Sequence, residues 1–139
     1  MRRMTQLFRY CVRLITAPLL SSCGLFDSGV EWRGGQYALL WIDTPENISV
    51  NRELGAGSWI GRVDSTVFAV GWDGRYLVAK QHPNNDRSVT HYFIIDSRRD
   101  SDYADQTKVV IGPLTATEFQ RKAIDLHLPK FSKVLNSLE

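Results

Sequence analysis

The chain has 139 residues, with 17 lysines and arginines against 15 aspartates and glutamates, and four tryptophans, five tyrosines and six phenylalanines. So aromatic a composition excludes an intrinsically disordered chain. The formal net charge of +2 is local: residues 1–22 hold Arg2, Arg3, Arg9 and Arg13 and no acid, and the remainder carries 13 basic against 15 acidic residues, net −2. That excludes the basic surface a nucleic-acid-binding domain requires.

At the N-terminus, Arg13 is followed by the short apolar run Leu14-Ile15-Thr16-Ala17-Pro18-Leu19-Leu20 and then by small residues before Cys23. A positive segment, a short apolar segment and small residues make the tripartite pattern of a secretory signal peptide. The apolar run is too short to span a bilayer, which takes about 20 residues. Leu20-Ser21-Ser22-Cys23, followed by Gly24, resembles the lipobox of bacterial lipoproteins. The resemblance implies cleavage between Ser22 and Cys23, a diacylglycerol on the Cys23 thiol, and stable anchoring to the lipid bilayer by two or three acyl chains. Gly24 in place of aspartate implies the outer membrane, periplasmic face, rather than the inner membrane. Cys11 would leave with the signal peptide and Cys23 would be consumed by lipid, so a hydrophobic core and not a disulfide must stabilise the exported chain. The expected organisation is a signal peptide at 1–22, a lipidated cysteine and tether at 23–29, and one globular domain at 30–139.

Tyr37–Ile42 is a short apolar run between Gly34-Gly35 and Asp43-Thr44-Pro45 and reads as a buried strand. Shorter strands are expected at Ile48–Arg52 and, after Gly55-Ala56-Gly57, at Ser58–Val63. Thr66–Trp72 and Arg75–Lys80 flank Asp73-Gly74, the signature of a hairpin with a two-residue turn, which would set Trp72 opposite Arg75, Val70 opposite Leu77 and Phe68 opposite Ala79. Val89–Asp96 and Lys108–Ile111 complete the strands. Trp41, Trp59 and Trp72 lie in strand patterns, which favours core packing over a carbohydrate platform.

Gly112-Pro113 is expected to stop the last strand. Thr115-Ala116-Thr117-Glu118 has the spacing of a capping box, Leu114 and Phe119 the spacing of a hydrophobic staple, and Phe119, Ala123 and Leu126 form a helical stripe ended by Pro129. A short terminal helix is expected over Phe131–Leu138. The fold class is therefore α+β: an antiparallel sheet of about six strands with a C-terminal helix packed on one face. Tyr92-Phe93-Ile94-Ile95-Asp96, then Ile111-Gly112-Pro113-Leu114-Thr115 and Glu118-Phe119, is similar to an uncharacterised family of small bacterial lipoproteins, over roughly residues 66–128. The resemblance implies an exported α+β domain and no catalytic residue.

No pattern for chemistry emerges. His82, His91 and His127 fit no metal-binding spacing. The sequence lacks a G-x-S-x-G elbow, a P-loop and a dinucleotide fingerprint, and no thiol nucleophile remains once Cys23 is lipidated. The expectation is a non-enzymatic chain without metal or cofactor. Ser97–Gln106 is a charged loop; Asp100, Asp102 and Asp105 could offer oxygen to calcium, but Arg98 and Arg99 interleave and the EF-hand spacing fails. Long loops carry recognition, so Arg98, Arg99, Asp100, Asp102 and Tyr103 are the candidate partner-binding residues. The expected function is a membrane-anchored, protein-binding module of the envelope, such as an immunity protein against a periplasmic toxin. The alternatives are a structural or assembly accessory of the envelope, and an enzyme whose site the sequence does not reveal.

Overall fold

The computed structural model describes residues 27–139. Two antiparallel sheets form its framework. The first is a meander of β1 (Ser28–Gly34), β2 (Tyr37–Ile42), β3 (Thr44–Gly55) and β4 (Ser58–Val63), in that spatial order. The second contains β5 (Val67–Trp72), β6 (Tyr76–Gln81), β7 (His91–Asp96), β8 (Val110–Leu114) and β9 (Lys133–Val134), in the order β8-β7-β6-β5-β9. One helical turn, α1 (Gln106–Val109), precedes β8, and α2 (Ala116–Leu126) follows it. Antiparallel β structure with a C-terminal helix is thus what forms, but among the described residues nine strands in two sheets replace the expected single sheet of about six.

Period-two alternation explains the layering. Tyr37, Leu39, Ile48, Val50 and Val63 point from the first sheet into a core shared with Val70, Leu77, Ala79 and Ile95 of the second. On the other side of the second sheet, Tyr76, Val78 and Ile94 meet Phe119, Ala123 and Leu126 of α2. The second sheet is therefore the middle layer, apolar on both faces, with the meander on one side and the helix on the other. Asp64–Thr66 carries the chain between sheets, and Gln81 Nε2 donates to the carbonyls of Asp64 and Ser65 at 2.9 and 3.1 Å, satisfying backbone that leaves one ladder before joining the next.

Several local expectations are corrected. The Asp73-Gly74 turn is longer than two residues: Trp72 pairs with Leu77 and Val70 with Ala79. The Asp73 carboxylate accepts from the backbone N–H groups of Arg75 and Tyr76 at 2.8 and 2.7 Å, which closes a wider turn. The register moves by two residues, so Leu77 and Ala79 still face one side and Tyr76 and Val78 the other. Gly112-Pro113 does not stop its strand; β8 runs through it to Leu114. The dipeptide bulges opposite Phe93, between the Tyr92–Leu114 and Ile94–Ile111 pairs, and β8 is an edge strand, where a proline without an N–H is tolerated.

The capping box forms as expected. Thr115 Oγ1 accepts from the Glu118 N–H at 3.3 Å and Glu118 Oε2 accepts from the Thr115 N–H at 2.8 Å. The terminal helix does not form. Phe131 and Leu135 pack on the inter-sheet core, Leu138 is buried, and β9 pairs with Ala69 and Val70. Gly71 explains the choice: any Cβ there would collide with the Lys130 carbonyl oxygen, so the glycine admits the C-terminal segment against β5.

Candidate functional site

The Ser97–Gln106 loop, read from sequence as a solvated connection with recognition residues, is fastened along its length. At its start, Asp96 accepts from Arg75 Nη2 at 3.0 Å and from the Arg98 N–H at 3.1 Å. The Arg75 guanidinium, more than any other neighbour, holds the Asp96 carboxyl below the usual carboxylate range. At its end, Asp105 accepts from the hydroxyl and N–H of Thr107 at 2.7 and 3.0 Å and caps α1, which lowers its pKa.

The middle of the loop is tied to the first sheet by Asp100. Its carboxylate meets Arg62 Nε at 3.0 Å and Nη2 at 2.8 Å, and accepts from the Tyr37 hydroxyl at 2.8 Å. Both charged side chains have zero exposure. The Arg62 guanidinium also donates to the carbonyls of Ser101 and Gly61, and the Arg62 carbonyl accepts from Gln106 Nε2. Burial, then the hydrogen bond to Asp100, drives the Tyr37 phenol well above its ordinary pKa, so it stays a donor. Beside this pair, Arg52 donates to Asp102 Oδ1 through Nε and Nη2 at 3.2 and 3.0 Å.

Arg62 reaches the interior through a β-bulge. Val50 pairs with Val63 and Asn51 with Gly61, which leaves Arg62 as the extra residue of β4. Strict alternation would set Arg62 and Val63 on opposite faces; the bulge lets both be buried. Arg62, Tyr37 and Arg52 were not singled out from sequence. The available signal was an arginine within an otherwise apolar strand, which requires a counter-charge if it is buried.

The candidate recognition residues divide accordingly. Asp100 is turned inward and Asp102 is half-exposed on its ion pair with Arg52. Arg98 and Arg99 are exposed, and neither guanidinium has a carboxylate partner among the described residues. Tyr103 is 100% exposed. The loop therefore offers two cations and one aromatic ring from a backbone held by buried charge. Ser22 and Cys23 lie outside the described residues.

The histidines stand apart. His82, expected in a polar loop, is buried, stacks on Phe68 at 4.1 Å between ring centroids, and donates from Nδ1 to the Val89 carbonyl at 2.8 Å. His91 lies in β7 and His127 is the left-handed C-cap of α2. Among the described residues no three His, Cys, Asp or Glu side chains are grouped so as to hold a metal ion. A cavity of about 340 Å³ beside the clamp formed by Arg62, Asp100 and Tyr37 is lined by Asp64, Gln106 and Thr107 over Phe93 and Val110. Its lining contains no histidine or cysteine to set against the Asp64 carboxylate.

Residues 34–136 match the model of a family described as a protein of unknown function (DUF3997). The chain belongs to that family. The DUF3997 match begins at the last residue of β1 and ends just beyond β9, so it takes in Tyr37, Arg62, the whole Ser97–Gln106 loop and α2. It extends beyond the residues 66–128 that carried the resemblance to an uncharacterised family. No curated protein and no solved structure matches the chain.

Proposed function

We propose that the protein is a lipid-anchored, non-enzymatic binding module of the cell envelope, exported, held in the outer membrane through Cys23, and recognising a protein partner through the outward half of the Ser97–Gln106 loop. The observation that supports this reading most is the combination of a fully exposed Tyr103 and exposed Arg98 and Arg99 in one loop whose backbone is bolted down by the buried Arg62–Asp100–Tyr37 network. A surface that is already ordered loses little conformational freedom on binding, and tyrosine and arginine supply much of the binding energy at protein interfaces. The partner that suits a loop presenting two unpaired cations and an exposed aromatic ring carries both acidic and apolar surface. A periplasmic toxin neutralised by the module is one such partner; an envelope assembly component is the other.

The test is co-purification from detergent-solubilised envelopes with tagged full-length protein, wild type against Tyr103→Ala and Arg98→Ala/Arg99→Ala. The expected result is a stoichiometric partner that both variants lose while remaining folded. A partner retained by both variants would place recognition elsewhere and overturn the assignment of the loop.

A further inference from the structure

One surface of the first sheet faces away from both the core and the clamp. The register places Ser28, Val30, Leu40 and Ile42 on the side opposite Tyr37 and Leu39. Val30 and Ile42 are 48% and 52% exposed, and with Leu40, Trp41 and Trp59 they line an open cavity of about 320 Å³. Trp32, Trp41 and Trp72 all pack against the inter-sheet core, whereas Trp59 is absent from it and stacks on the Arg33 guanidinium at 4.8 Å. Arg33 in turn pairs with Glu53 at 3.8 Å, and Glu31 accepts from Trp41 Nε1 at 3.2 Å.

We propose that this apolar face rests on the surface of the bilayer that holds Cys23. The inference depends on reading Cys23 as the lipidated residue and extends that reading from an anchor to an orientation. The chain enters the fold at this cavity: Ser28 and Gly29 line it, and the Asp27 carbonyl accepts from the Asp43 N–H at 2.7 Å. Cys23 precedes Asp27 by four residues, so an acyl-bearing Cys23 lies no farther from Asp27 than about 14 Å, the reach of a fully extended chain. The Asp27 end of the face is consequently held within that distance of the layer where headgroups begin. Its composition suits that layer, since tryptophan concentrates at the membrane–water boundary and exposed aliphatic side chains gain by leaving water there. Asp27 and Asp43 at the rim disfavour an anionic surface and select zwitterionic headgroups. Tyr37, and with it Asp100 and the recognition loop, is on the opposite face of the same strand, directed away from the lipid.

The experiment uses purified full-length protein reconstituted into phosphatidylcholine vesicles whose acyl chains carry bromine, a contact quencher of tryptophan. Intact mass is measured on the same sample. The expected result is acyl mass on Cys23 together with a drop of about twofold in the emission contributed by Trp59, taken as the difference between wild type and Trp59→Phe, as for a ring at the headgroup–acyl boundary. Ile42→Asp and Val30→Asp, both at half-exposed positions, are expected to abolish that drop without changing the acyl mass or the circular dichroism spectrum. Acyl mass with unquenched Trp59 would overturn the docking while leaving the anchor in place. Absence of acyl mass would overturn the anchor, and the inference with it.

Discussion

Arg62 and Asp100, 38 residues apart, form an ion pair with no solvent exposure on either side chain, and the pair joins the first sheet to the loop that follows the second sheet's central strands. Two features make so buried a pair tolerable. The Ser101 and Gly61 carbonyls accept further Arg62 N–H groups and Tyr37 donates to the Asp100 carboxylate, while the bulge at Arg62 delivers the guanidinium without displacing Val63 from the core.

Removing one partner leaves a naked buried charge. Asp100→Ala is expected to lower stability by about 3–5 kcal/mol, and Arg62→Met combined with Asp100→Leu to recover most of that loss, because replacing both partners by apolar groups costs little. Urea unfolding followed by tryptophan emission measures both. A loss for Asp100→Ala within about 1 kcal/mol, the range of an exposed pair, would contradict the clamp. The outer Arg52–Asp102 pair, with Asp102 44% exposed but Arg52 only 13%, is expected to contribute more than an exposed pair and less than the fully buried one.

Stability is expected to fall in acid. Asp96 is depressed chiefly by Arg75, Asp86 by Ser88, Asp105 by Thr107 and Glu118 by Thr115, each through hydrogen bonds to the carboxylate. A depressed folded-state pKa means stability that is fully present above the unfolded value, about 4, and lost as the pH falls through the lower folded value. Urea midpoints between about pH 6 and about pH 2.5 should therefore decline across the carboxylate range. Asp96→Asn should start lower at neutral pH and decline less steeply. Equal slopes for the variant and the wild type would show that the Arg75 contact carries no linkage.

The cap of α2 offers a smaller, local test. Thr115→Ala removes the acceptor for the Glu118 N–H and is expected to cost about 1 kcal/mol. Gly71→Ala should cost more, about 1–3 kcal/mol or above, because its Cβ can be accommodated only if the Lys130 backbone moves off β5. Denaturant midpoints rank the two. A Gly71→Ala variant as stable as wild type would mean that the C-terminal segment does not lie on β5.

The parts of the fold legible in the sequence are those specified by local chemistry. The apolar run Tyr37–Ile42, the T-x-x-E cap at Thr115 and the stripe Phe119–Ala123–Leu126 all took the structure their spacing implies. Features set by tertiary contact were not legible. Asp73 closes its turn with its own side chain, which no dipeptide rule includes. Phe131–Leu138 has an apolar pattern that suits a helix, but the opening at Gly71 gives its backbone a strand partner. Two sheets rather than one follow from the break at Asp64–Thr66, where Gln81 substitutes for a ladder neighbour. Of the candidate site, the residue types of the Ser97–Gln106 loop were visible, but which of them turn inward depended on Arg62, and Gly61, the local mark of a bulge within β4, does not by itself say which residue the bulge turns inward.

If the loop recognises a partner as proposed, Arg98, Arg99 and Tyr103 contact it from a backbone held by the buried Asp100. The decisive experiment compares the affinity of the co-purified partner for wild type, Tyr103→Ala and Asp100→Asn, each at matched fold by circular dichroism. Tyr103→Ala should weaken binding by about 2 kcal/mol, the size of an interface hot spot, with unchanged stability. Asp100→Asn should weaken binding while losing stability. Undiminished affinity in Tyr103→Ala would contradict the proposal.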